Sequence, residues 1–452
     1  MNELETQNLS SIDELCVFLM NRIGICVSAS EAATTQELVN KVIDTWFTPR
    51  STTTGTIKSP INQHSSSITN ILPKTNSSDR VTNRYPTKGQ DDLIKFFTLW
   101  ITSPTLELQL KPLHRPIKVL KHWESLSSKY GYTKESYFDH GSGNGAINCS
   151  SVNCEPIVSF QRNIFTQKRD EMKTTDPDVL QLLYEEAKVN VLDGRYPVDT
   201  FEQLAAIQTA IEIGPFNPKL HTSKYLKSII TQLFGSNHRP VITSTKWSTI
   251  NSITSTFTQS SSLESKIINY YRRLGPIINK TQLYRNYLQL CWPLPYYGSA
   301  YFHGLIERSS KKLIALISNR LVQVWIAINP IGVHIIDEKH SRLIITLDFS
   351  KFKWELSLAA NEQSTNHHRN QSIELPSIFF YFWSRNDYKK NIIKVISPQA
   401  YLINTLLNAF NDNQSGQLIY QQLNTSKNDL NFNLDHQQSI FIRNQPTINS
   451  GK

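Results

Sequence analysis

DPDVLQLLYEEAKVNVLDGRYPVD, residues 176–199, carries the start and stop signals of one helix and opens the next. The Asp176 side chain is the type that accepts from free N–H groups of a first helical turn. Pro177 suits the first helical position, where no N–H is required. Leu180, Leu183, Tyr184, Ala187 and Val191 recur on one helical face, and Glu185 and Lys188 lie across from them as a weak pair. Gly194 supplies a left-handed stop and Pro197 keeps the helix from resuming. Thr200 with Gln203 reads as a capping box for a second helix that turns Leu204, Ile207, Ala210 and Ile211 inward. This pair of helices is a packing block without a catalytic arrangement, so its neighbours decide the fold.

Working toward the C-terminus, helical periodicity returns at 223–234, 262–274 and 280–292, with a Ser/Thr-rich span at 243–262 between them as a loop. The region 163–298 is therefore an all-helical lobe. Past Pro295 the period changes to that of strands, as in Val322, Val324, Ile326 and Ile328. Further strands are read around Phe302–Ile306, 333–336, 343–347, 352–358, 379–383 and 392–396. A last helix opens at Pro398 with Ala400, Ile403, Leu407 and Phe410 on one face. Strands closed by one helix give 299–412 the plan of a pleckstrin-homology or phosphotyrosine-binding sandwich. The Asn/Gln-rich tail 413–452 is read as disordered.

Toward the N-terminus, 14–22 and 24–29 read as a β-hairpin and 35–47 as a helix. Residues 93–101 read as a strand, Leu106, Leu108 and Leu110 as one face of a half-buried strand, and 156–165 as the closing strand. That is a ubiquitin-like plan over 12–162. It is interrupted by two soft insertions, 48–89 and 133–155, which bury too little apolar surface to offset their ordering entropy.

Composition narrows the function. The chain has 452 residues, 39% of them hydrophobic, a net charge of +10 and five cysteines. An odd, scattered set of cysteines (Cys16, Cys26, Cys149, Cys154, Cys291) points to reduced thiols in a cytosolic protein. The positive charge favours an anionic partner, but the bases form no stripe with exposed aromatics, which argues against nucleic acid. Gly141, Gly143 and Gly145 lack the Gly-Lys-Ser/Thr ending of a phosphate loop. His367 and His368 sit in a polar loop with no orienting carboxylate, and Glu185 and Glu186 diverge on their helix. No enzyme, cofactor or metal site is indicated.

The three lobes in this order, α+β overall, resemble the FERM module: ubiquitin-like, all-helical (acyl-CoA-binding-protein-like), then pleckstrin-homology/phosphotyrosine-binding-like. The motifs agree. LLYEEAKVNVLDGRYPVD (182–199) is similar to the opening helix of the FERM central lobe, and LYRNYLQLCWPLPYYGSAYFHG (283–304) to the junction with its third lobe. FTLWITSPTLELQLKPLHRP (97–116) and FQRNIFTQKRDE (160–171) resemble one adaptor subgroup of the family. That resemblance implies a non-catalytic adaptor at the cytoplasmic face of the plasma membrane. Its implied partner is the cytosolic tail of an iRhom, a rhomboid pseudoprotease, and its implied role is to stabilise the associated sheddase complex. It also allows a Wnt co-receptor tail as partner. The competing class is a lipid-binding membrane–cytoskeleton linker. The tail carries no long charged helix of the kind that links ezrin-like members to actin.

In such a module the strand 352–358 borders the last helix, and an extended peptide adds to its free edge. Candidate partner-binding residues are Phe352, Lys353, Trp354, Tyr401 and Asn404; the ordinary reading of Phe352 and Trp354 is core. A second candidate is the basic group Lys111, Arg115, Lys118 and Lys121, with His114 and His122 beside it, which suits anionic phospholipid. A solvated loop face is the alternative there.

Overall fold

The computed structural model describes residues 13–47, 88–132, 155–234, 262–276, 279–307, 321–358, 376–383 and 390–414. Most of both soft insertions, the span 243–261, Cys149, Cys154, the glycines at 141, 143 and 145, His367, His368 and the tail from 415 lie outside these residues.

The hairpin β1 (Asp13–Leu19) and β2 (Gly24–Ala29) opens a five-stranded sheet of order β2-β1-β5-β3-β4. Strand β5 (Ile157–Arg162) runs parallel to β1 and antiparallel to β3 (Phe97–Thr102), which pairs with β4 (Glu107–Gln109). Helix α1 (Thr35–Phe47) crosses the sheet and buries Leu38, Val39, Val42 and Ile43. Three expectations are corrected in this lobe. Residues 93–96 are helical, within α2 (Lys88–Phe96): Leu93 and Phe96, three apart, are buried while Ile94 is exposed. Gln109 is buried with the leucines, because its amide donates to Asn163 Oδ1 (3.0 Å) and accepts from Ile164 N–H (2.9 Å). Cys16 and Cys26 are directly opposite across β1 and β2, Cα atoms 4.3 Å apart, and are joined as a disulfide rather than kept as free thiols. Two short helices, α3 (Pro116–Lys121) and α4 (Trp123–Tyr130), follow β4.

The helical block comprises α5 (Lys168–Glu171), α6 (Pro177–Leu192), α7 (Phe201–Ile213), α8 (Ser223–Phe234), α9 (Leu263–Arg273) and α10 (Lys280–Cys291). Asp176 Oδ1 accepts from the N–H groups of Asp178 (3.0 Å) and Val179 (3.1 Å), and Gly194 takes φ of +72°, so both signals that bound α6 act as read. The capping box does not form. The Thr200 side chain makes no capping bond, and Gln203 N–H reaches the Thr200 carbonyl instead (3.1 Å).

The C-terminal part is a seven-stranded sheet of order β10-β11-β12-β6-β7-β8-β9. Its strands are β6 (Ala300–Glu307), β7 (Leu321–Asn329), β8 (Gly332–Asp337), β9 (Arg342–Asp348), β10 (Phe352–Ser357), β11 (Ser377–Trp383) and β12 (Lys390–Ile396). Helix α11 (Ala400–Gln414) contacts β10, β11 and β7, so the sheet bends around it. Leu402, Ile403, Leu406, Leu407 and Phe410 bury there, each a large apolar side chain contributing about 1.5–3 kcal/mol.

Polar contacts fix the three parts against each other. The Arg162 guanidinium at the end of β5 donates to the carbonyls of Thr166 (2.9 Å) and Gly298 (2.9 Å), and pairs with the buried Glu171 carboxylate. Tyr297 OH donates to the same carboxylate at 3.0 Å. Arg195 pairs with Glu107 and stacks over Trp325, its guanidinium carbon 4.6 Å from the ring centre. Gln399 donates to the Thr105 carbonyl (3.1 Å), and the Tyr132 and His303 rings stack 4.6 Å apart. Helices, first sheet and last sheet are thus held in one arrangement.

Candidate protein-binding groove

β10 is the terminal strand of its sheet: β11 takes one edge, and no described strand pairs with the other. Its side chains alternate as a pleated strand requires, with Phe352 buried, Trp354 and Leu356 half-buried, and Lys353, Glu355 and Ser357 exposed. Phe352 sits in an aromatic cluster, its ring 5.5 Å from Phe349, 5.6 Å from Trp354 and 5.7 Å from Phe380. Phe349 lies 6.3 Å from Phe410 of α11. These rings form the floor between β10 and α11.

One bond crosses that floor. Trp354 Nε1–H donates to Asn404 Oδ1 at 3.1 Å, which fixes the indole against the helix and satisfies its polar tip. The open strand edge and the helix flank thus make a groove with a backbone template on one side and an aromatic–amide pair at its base.

The structure brings Phe352, Trp354 and Asn404 together at this groove. Lys353 projects from the opposite face of the strand, beside Tyr381. Tyr401 turns toward the first lobe, where its ring stacks on Tyr130 at 6.5 Å.

Of the basic group of the first lobe, Lys118 and Lys121 lie on α3, Arg115 precedes its first turn and Lys111 sits in the loop before it. Lys121 Nζ bonds the Glu31 carboxylate at 2.9 Å, which holds that carboxyl below its usual range with further help from Lys118 and Arg115. Burial pushes the Lys111 ammonium down to about 8. The loop before α3 is tied to α1, since the His114 carbonyl accepts from Thr35 N–H (2.7 Å) and Thr35 Oγ1 (3.0 Å). His122 is exposed between α3 and α4.

No group of His, Cys, Asp and Glu able to hold a metal ion occurs among the described residues. No described helix is long and apolar enough to cross a membrane. Glu185 pairs with Lys188 at 2.7 Å, whereas Glu186 is half-buried and accepts from Arg162 N–H at 2.7 Å. The two carboxylates do not converge.

A family model described as the FERM central domain matches residues 169–302, and one described as the KRIT1/FRMD8 FERM domain C-lobe matches residues 322–406. Together with the three-lobe order of the fold, these matches make this a FERM module in architecture. It is 33% identical over 278 residues to FERM domain-containing protein 8 of Xenopus tropicalis, covering 59% of this chain and 57% of the relative. It is 28% identical over 328 residues to human FERM domain-containing protein 8, covering 70% of this chain and 64% of the relative. The matched part thus spans less than two thirds of either relative's length. Among solved structures, the human myosin 7b C-terminal MyTH4-FERM domain in complex with harmonin-a PDZ3 superposes with a TM-score of 0.50 at 13% identity. That superposition covers 91% of this chain and 62% of that one, and it shows the fold alone.

In FERM terms the first sheet is the ubiquitin-like lobe, α5–α10 the central lobe and the seven-stranded sheet with α11 the third lobe. The three-part Arg162 junction gave no sequence signal beyond a charged residue closing an apolar strand, with Glu171 nine positions on.

Proposed function

We propose that this chain is a non-catalytic FERM adaptor that captures the cytosolic tail of a membrane protein along β10. The observation that carries the proposal is the open β10 edge beside α11, with Trp354 and Asn404 bonded across the base of the groove. An extended tail adds as an eighth strand: backbone pairing supplies affinity, and the pockets beside Phe352 and Trp354 select side chains. Similarity to FERM domain-containing protein 8 makes the tail of an iRhom the first partner to test, and stabilisation of its sheddase complex at the plasma membrane the role. A pull-down with an immobilised iRhom cytosolic tail tests this. Wild-type chain is retained, and Trp354→Ala lowers retention by at least about ten-fold, since a tryptophan anchor that the tail covers contributes ~2 kcal/mol or more. Equal retention of both proteins rejects the groove, and a failure of wild type to bind rejects the iRhom partner.

A further inference from the structure

The face of the third-lobe sheet turned away from α11 carries a second surface. Cross-strand register aligns Lys353, Tyr381 and Ile392 in one row, Trp383 and Lys390 in the next, and Glu355, Phe379 and Lys394 in a third. All point away from the core residues Phe352, Phe380 and Val395. Trp383 is 68% and Ile392 56% exposed, an unusual amount of large apolar side chain for one small sheet face. Lysines surround them. Lys390 Nζ lies 4.8 Å from the Tyr381 ring centre and Lys394 Nζ 5.7 Å from that of Phe379. Lys351, 3.6 Å from Asp348, and Lys353 line a surface concavity of about 460 Å³ together with Tyr381, Trp383 and Lys390.

The chemistry fits an anionic, partly apolar partner that needs no backbone pairing. Both edges of β11 and of β12 are already occupied within the sheet, so a peptide lying on this face finds only side chains. An exposed tryptophan ringed by lysines matches the headgroup zone of a bilayer, where the indole enters the interface and the ammonium groups meet phosphates. Four lysines stand against Glu355, which accepts from Tyr381 OH at 2.9 Å, and Asp348. The first-lobe group offers less, since Lys121 is bonded to Glu31 and the Lys111 ammonium is largely withdrawn from water.

We propose that the outer face of β10, β11 and β12 is a docking surface for an anionic phospholipid bilayer, with Trp383 and Ile392 as its apolar anchor. It stands independently of the tail groove, but it borders the same strand: a chain seated this way holds the open β10 edge beside the membrane.

Co-sedimentation of the full chain, without any tail, tests the proposal. The probes are vesicles of phosphatidylcholine alone and of equal parts phosphatidylcholine and phosphatidylserine. Wild type pellets with the anionic vesicles and far less with the neutral ones. A base near an anionic surface contributes roughly five-fold in affinity, so the double variant Lys353→Glu, Lys390→Glu loses about thirty-fold or more. Trp383→Ala loses several-fold, and Arg115→Glu with Lys118→Glu at α3 loses far less than the Lys353/Lys390 double variant. Wild-type partition by the Lys353/Lys390 double variant overturns the proposal. So does a loss confined to the α3 pair, or equal pelleting with neutral vesicles. Capture of a poly-glutamate peptide on this face with no vesicle binding would assign it to an acidic segment instead.

Discussion

Arg162 Nη1 donates to the Gly298 carbonyl at 2.9 Å, although 136 positions separate the two residues. Gly298 stands at the entry to the third lobe with φ of +66°, and a Cβ added there would sit 2.3 Å from that same Nη1. Only glycine meets both conditions, the left-handed backbone and the close approach of the guanidinium.

Gly298→Ala therefore destabilises the chain. The left-handed conformation alone costs an alanine roughly 1–2 kcal/mol, and displacement of Arg162 adds to it. Urea denaturation followed by circular dichroism should show a clearly lower midpoint. An unchanged midpoint would mean that the junction is not rigid.

The buried Arg162–Glu171 pair behaves as a unit. Removing one charge leaves its partner buried and unpaired, so Arg162→Met or Glu171→Leu each cost roughly 3–5 kcal/mol, and the double variant costs less than the sum. A double-mutant cycle in urea reads this directly, and additive losses would contradict it.

Glu186 sets a pH dependence. Burial raises its carboxyl from 4.5 to about 7, opposed by the Arg162 N–H bond and charge, and helped by Glu171 and Glu107 nearby. The folded state therefore keeps this proton over a range where the unfolded state has lost it. The stability that follows is fully present below about pH 4.5 and is lost as pH rises through about 7. His334 acts in the opposite sense, since burial lowers its ring to about 4, and its contribution is lost as pH falls through that value. The clean reading is a difference. Glu186→Gln keeps an acceptor for Arg162 N–H, and wild-type stability minus variant stability should decline from pH 4.5 to 7. A flat difference would show that Glu186 does not titrate in this window.

Local signals were legible in the sequence and long-range ones were not. Asp176, Pro177 and Gly194 bound α6 as read, because capping and left-handed stops act within a few residues. Period two along 352–358 placed Phe352 and Trp354 on one side and Lys353 on the other. Helix α2 was missed because only Leu93 and Phe96 bury, and the apolar run 96–101 directly after them masks a two-residue helical pattern. Tyr401 read as free to contact a partner, since nothing local announces that Tyr130, far away in the chain, stacks on it. The Trp354–Asn404 bond spans 50 positions and was legible only as two neighbouring candidates.

The groove also makes a graded prediction. Asn404→Ala leaves the Trp354 N–H without its acceptor and frees the indole, costing tail affinity about five-fold, whereas Leu358→Ala, exposed just past the end of β10, costs little. Fluorescence titration with a labelled tail ranks the two variants, and equal losses would move the contact toward the strand end.

Hydrogen exchange at β10 is the most direct measurement. The amides of residues 352–358 are followed in the full chain with and without a saturating iRhom cytosolic tail. Strand addition predicts new protection at alternate residues of that segment, with the flank of α11 protected beside it. Protection confined to β9 or to the first lobe, with 352–358 exchanging as in the free chain, would contradict the account.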